Sequence, residues 1–181
     1  MAFIPENYVP PRAYQSDLFC LEVLSPEFAE QDFASVTASA NTIRHVFGPA
    51  NSWPDPQMNY AENLADLERH EREFFERKAF AYSILGLNKS SYLGCLYIKP
   101  IKSKMEIDLR KSVYDAQAFF WLASQAAAGD LAQVILADLQ RWLTQEWRFK
   151  AVAFPGRTIG WSEWERMAIA APVANVLSPE S

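Results

Sequence analysis

"AQAFFWLASQAAAGDLAQVILADLQRWL", residues 116–143, is the stretch on which the reading of this chain turns. Ala116 to Leu122 is a short apolar run, the length and composition of a buried strand. Small residues follow, and then Leu131, Val134, Ile135, Leu139, Trp142 and Leu143 recur at helical spacing, which predicts a helix over 130–145. A strand, a tight loop and a helix N-terminus in that order point unpaired N–H groups and the positive end of a helix dipole at the loop. That arrangement suits an anion. Only Gly129 lends the loop conformational freedom, and Asp130 beside it is equally suited to a plain N-cap.

The surroundings fit one folded α/β domain. The chain has 181 residues, half of them apolar and 14% aromatic, which is ample for a core. The net charge is −5, and the bases between Lys99 and Lys111 are diluted by Glu106 and Asp108, so no stripe for a nucleic acid is expected. Cys20 and Cys95 lie apart in apolar runs and read as buried free thiols of a reducing compartment. His45 and His70 have too little company for a zinc site or a Ser-His hydrolase. No apolar run is long enough for a membrane span, and the N-terminus lacks a secretory pattern, so a cytoplasmic location is expected.

Residues 1–17, with Pro5, Pro10 and Pro11, read as an extended lead-in to a domain over 18–181. Asp17 to Leu24 predicts a strand, and Ser25-Pro26-Glu27 a helix start with Ser25 as cap, the helix ending around Ala38. Residues 46–58 are proline-rich loop. Asn59 and Glu62 form a capping-box pattern ahead of a second helix running to about Arg77. Phe80–Leu85 and Tyr92–Ile98 read as hairpin strands around residues 86–91. Residues 100–114 are a polar excursion. Lys150–Phe154 is the last strand, and Ser162 caps a short helix after it. The order is β-α-α-β-β-β-α-β.

That order is the one found in the GNAT acetyltransferase superfamily. Ser52-Trp53-Pro54, Glu62 to His70, Leu93 to Ile98, and Trp142-Leu143, Glu146-Trp147 and Pro155-Gly156-Arg157 are similar to a divergent bacterial branch of it. The resemblance covers about residues 18–157. It implies a GNAT-like mixed sheet whose fourth and fifth strands splay apart, with the pantetheine arm of acetyl-CoA between them. Mapped onto this chain, Phe120, Trp121, Leu122 and Ala123 would pair with the arm. The N–H groups of Ala126, Ala127, Ala128, Gly129, Asp130 and Leu131 would receive its pyrophosphate. The superfamily's loop motif, [QR]-x-x-G-x-[GA], is satisfied in neither register: aligned on Gln125 it meets Ala128 and Asp130, and aligned on Gly129 it meets Ala126 and Leu131.

The resemblance also implies acetyl transfer to an amine, which needs a base and an acid. Gln117 stands where relatives carry a glutamate, and an amide is no base. Asp115, on the same face by strand alternation, is the ionisable candidate, with a turn role as its alternative. No tyrosine follows Phe154, although Tyr97 and Tyr114 are other acids. The chain after Phe154 is short for the family's last helix and strands, which implies a shortened C-terminal part. The acceptor side is then truncated, rebuilt from Trp161 and Trp164, or supplied by a second subunit of a homodimer. Two functions follow: an acetyl-CoA-dependent transferase acting on a small-molecule or peptide amine without a metal, or a binding module of the same fold without catalysis.

Overall fold

A computed structural model of the chain describes residues 3–103, 108–127 and 129–168. Six strands form one sheet in chain order: β1 (Ala13–Gln15), β2 (Phe19–Val23), β3 (Phe80–Gly86), β4 (Tyr92–Lys99), β5 (Ala116–Leu122) and β6 (Val152–Ala153). Every neighbouring pair is antiparallel except β5 and β6, which are parallel. Helices α1 (Ala29–Ile43) and α2 (Tyr60–Phe75) lie between β2 and β3, and α3 (Leu109–Val113) precedes β5. The chain then runs through α4 (Leu131–Gln145) to β6 and ends its described part in α5 (Trp161–Ala168).

Strand alternation divides the core between two faces. Tyr82, Leu96, Ile98, Phe120 and Leu122 meet Ile135, Leu139, Trp142 and Leu143 of α4. On the other face, Cys95, Tyr97, Phe119 and Trp121 meet Val36 of α1 and Leu67 of α2. Each large side chain buried this way contributes about 1.5–3 kcal/mol. Gly94 permits the close approach of β4 to β5. It has φ +151°, and a Cβ there would stand 2.0 Å from the Trp121 carbonyl oxygen.

The predicted order is present, with additions. β1 forms inside the segment read as a lead-in, where Arg77 and Tyr82 also bond Pro5, Tyr8 and Pro11 carbonyls. Asn59 and Glu62 make the full capping box. Ser25 is extended but its side chain makes no cap bond, and a single 3-10 turn over Pro26–Phe28 leads into α1. That helix continues past Ala38 to Ile43 because no breaker intervenes, and Ser39 and Ile43 are buried along it. The last strand is shorter than predicted. The Lys150 N–H donates to Asp115 Oδ2 and the Phe154 N–H to Thr158 Oγ1, which leaves Val152 and Ala153 as the ladder. The C-terminal part beyond residue 168, where a shortening was expected, lies outside the described residues.

Candidate active-site cleft

β5 and β6 share only the pairs Ala116–Val152 and Gln117–Ala153. Past Gln117 the two segments part, and a cleft of about 280 Å³ opens between Phe120, Leu122, Ala127 and Ala132 on one side and Pro155 to Arg157 with Trp161 on the other. The end of α1, at Thr42 and Ile43, closes it. The Ala123 N–H donates to the Leu93 carbonyl at 2.8 Å, so by antiparallel alternation the backbone of Trp121 pairs with β4. Phe120 and Leu122 therefore turn their polar groups toward the cleft. Of the four residues expected to pair with an extended ligand, these two turn their backbone polar groups to the cleft, while those of Trp121, which also lines it, and Ala123 go to β4.

The Phe120 carbonyl is already engaged. Arg157 Nη2 donates to it at 3.1 Å, and the guanidinium lies 3.8 Å from the Phe120 ring centroid. Burial pushes the Arg157 pKa down, and no carboxylate contributes to its shift. The turn before Trp161 holds this side chain in place: Gly156, Arg157 and Thr158 donate backbone N–H groups to Ile159, Phe154 and Phe154 carbonyls.

The loop into α4 is tied down as well. Ala126 and Ala127 both donate their N–H groups to the Ala123 carbonyl, at 2.7 and 2.9 Å, so these two of the expected anion donors are occupied. Gly129 has φ +70°, and a Cβ added there would have nothing within 4 Å. Asp130 precedes α4 without a side-chain cap bond, and Leu131 opens the helix half-buried. Ala128 lies outside the described residues. Ser124 fastens the loop to α1: its N–H donates to Ser39 Oγ at 2.9 Å, and its hydroxyl meets that of Thr42 at 3.0 Å.

Asp115 is not brought to this cleft. It lines an open recess of about 970 Å³ toward the other end of β5, with Tyr8, Trp147 and Lys150. Its carboxylate accepts the Lys150 N–H at 2.6 Å, the work of a turn residue. Asp115, the ionisable candidate for a base, is thus held by a backbone amide at this end of the strand. Gln117 donates from Nε2 to the Pro100 carbonyl at 3.1 Å. Tyr114 packs against Trp164, 5.8 Å between centroids.

The face of β5 toward α1 and α2 holds groups that sequence reasoning does not assemble. Trp161 stacks on Phe119 at 6.2 Å with planes 8° apart, and Phe47 meets Phe119 and Tyr97 at 5.5 and 5.0 Å. Lys99 Nζ sits 4.6 Å from the Phe47 centroid and 5.4 Å from that of Tyr97. Burial, then Arg69, lowers the Lys99 pKa. Deeper in, Asp32 Oδ1 accepts the Tyr92 hydroxyl at 2.6 Å and the Cys95 thiol at 3.3 Å. Burial raises the Asp32 pKa against these bonds, and burial also raises Tyr92, Cys95 and Tyr97. The predicted burial of Cys95 and Cys20 as free thiols holds. No signal of spacing links Asp32 to Tyr92, or Phe47 to Lys99.

No family model matches the chain, and no curated protein matches it in sequence. Solved structures do match its fold. A chain described as a probable acetyltransferase superposes with TM-score 0.57 at 11% identity, over 77% of this chain and 71% of that one. The Salmonella typhimurium acetyltransferase that modifies the N-terminal serine of ribosomal protein L7/L12 superposes with TM-score 0.52 at 12% identity, over 72% and 66%. The ribosomal-protein-S5-alanine acetyltransferase of Vibrio fischeri gives 0.52 at 8% identity, over 74% and 67%. The chain has the GNAT fold. The strands expected to be fourth and fifth in that fold are β5 and β6, which share two pairs and then part. Among the described residues of this GNAT fold, no group of three or more His, Cys, Asp or Glu side chains is placed to hold a metal ion. None of the described helices is long and apolar enough to cross a membrane.

Proposed function

We propose that this chain is an acyltransferase of the cytoplasm that takes an acetyl group from acetyl-CoA and passes it to an amine. The observation that carries the reading is the open β5 edge: Phe120 and Leu122 turn backbone donors and acceptors into a cleft that β6 leaves after two pairs. An extended arm with amide groups satisfies such an edge as a strand would. The neighbours' printed activities, acetylation of a ribosomal protein's N-terminal serine and of a ribosomal-protein alanine, support an amine on a peptide or small molecule as acceptor.

In this reading Phe120 and Leu122 hold the arm, Gly129 to Leu131 and the start of α4 face its phosphates, and Phe119 and Trp161 wall the acceptor side. Acetyl transfer needs the acceptor amine neutral and the departing thiolate protonated. A second reading, a cofactor-binding module without turnover, draws on the amide of Gln117 and the engaged carboxylate of Asp115. Calorimetric titration with acetyl-CoA tests the first step. Saturable binding at micromolar to millimolar ligand is the expected result, and its absence at millimolar ligand removes both readings. Release of free thiol in the presence of an amine-bearing peptide panel then favours the transferase over the module.

A further inference from the structure

The aromatic wall of Trp161, Phe119 and Phe47 ends on a side chain that acetyl transfer to a separate acceptor leaves unused. Lys99 pairs in register with Gln117, and Gln117 is the last β5 residue paired with β6 before the strands part. Lys99 is thus one strand, about 4.8 Å, from the point where the cleft begins. Its ammonium rests on Phe47, and the Phe47 ring touches Phe119, the next cleft-ward residue of β5 on the same face. The carboxylates that act on it from α2, Asp66 and Glu73, are both paired with Arg69, and Asp66 also meets His70. Arg69 and Lys102 add positive charge around it. The site offers an amine with an apolar seat and no committed counter-ion among the described residues.

We propose that Lys99 is itself an acylation site, modified by the acyl thioester bound in the adjoining cleft. The inference rests on the cleft's taking an acyl-CoA. Nζ, in its neutral form, attacks the thioester carbonyl carbon. The new C–N bond forms as the C–S bond breaks, the amine's surplus proton passes to the departing sulfur, and the products are Nε-acetyl-Lys99 and the free CoA thiol. The surroundings favour this step because rings and burial stabilise the ammonium less than water does. Each pKa unit by which burial lowers the amine raises its neutral fraction about tenfold at neutral pH. Loss of the charge also removes the repulsion from Arg69 and leaves an apolar acetyl group against Phe47 and Tyr97.

The experiment is to incubate the full chain with acetyl-CoA alone and follow intact mass, released thiol and the modified peptide, with calorimetry on the same preparation. The expected result is one acetyl group per chain, mapped to Lys99, formed at least about tenfold faster than on the exposed lysines Lys78 and Lys89. Lys99→Arg, which keeps the charge and most of the packing, removes that adduct while acetyl-CoA still binds. Cofactor binding without an adduct at residue 99 overturns the proposal alone. Labelling that is equal at Lys78, Lys89 and Lys99 overturns it too, as indiscriminate chemistry. Absence of cofactor binding defeats the reading of the cleft and this proposal with it.

Discussion

Arg157 Nη2 donates to the Phe120 carbonyl at 3.1 Å across the open edge of β5. The guanidinium fills the place that a ligand amide takes when an extended arm pairs with this edge. Entry of the arm breaks a charged hydrogen bond and a ring contact, together costing about 1–2 kcal/mol in this half-exposed setting. Arg157→Ala is therefore expected to tighten acetyl-CoA binding by roughly five- to thirtyfold, read by calorimetry. Weaker binding in the variant would make Arg157 an anion ligand and reject its role as an occupant of the edge.

Asp32 and the groups around it predict an unusual pair of variants. Its carboxyl is held above its ordinary value, chiefly by burial. Ionisation is thus penalised in the fold, and stability falls as pH rises through the folded value. Asp32→Asn keeps an oxygen for Tyr92 and Cys95 and has no charge to bury. Its thermal stability at pH 8 should equal or exceed that of the parent chain. Asp32→Ala removes the acceptor that Tyr92 and Cys95 share, leaves the Tyr92 hydroxyl only the Cys95 sulfur at 2.9 Å, and should cost about 2 kcal/mol. Denaturant melts of the two variants at the same pH check the contrast.

The acid limb of stability should report on α5. Arg110 bonds hold the Asp108 pKa at about 2, and the Arg110 guanidinium lies 5.1 Å from the Trp164 ring centroid. A carboxylate with a lowered folded pKa stabilises above its unfolded value and loses that contribution as pH falls toward about 2. Trp164 fluorescence should change over that window. Asp108→Asn should flatten the change while lowering stability at neutral pH. An unaltered acid profile in the variant would show that the pair does not couple α3 to α5.

Gly94 and Gly129 both sit at positive φ and should respond differently to substitution. A Cβ on Gly94 meets the Trp121 carbonyl oxygen at 2.0 Å, so Gly94→Ala should destabilise by about 3 kcal/mol or more. A Cβ on Gly129 meets nothing within 4 Å, so Gly129→Leu should cost about 1 kcal/mol, that of its left-handed backbone. Lost acetyl-CoA affinity in a folded Gly129→Leu chain supports a ligand lying over the loop. Unchanged affinity would move the ligand elsewhere.

Local features are legible in the sequence because their partners are close along the chain. The Asn59–Glu62 capping box, the hairpin strands and the run from Ala116 through the amphipathic α4 all follow from spacing, and with them the order of the fold. The cleft's contents are less legible. Arg157 meets Phe120 from 37 residues away, and nothing in either residue's neighbourhood announces the bond. Asp115 is ionisable and stands one residue before β5, but its carboxylate finds the Lys150 N–H 35 residues on. The last strand is shorter than its apolar run because Thr158, beyond its end, draws off the Phe154 amide. In each case a side chain competes for a backbone group, and sequence periodicity carries no record of such competition.

The fastening of Ser124 to Ser39 and Thr42 joins the loop before α4 to the end of α1 as one mechanical piece. Those two residues lie in the last turns of α1, and the chain leaves α1 directly into the segment that carries Phe47 and Trp53. Loop and helix share two hydrogen bonds, so a displacement at one end of this linkage draws on the other.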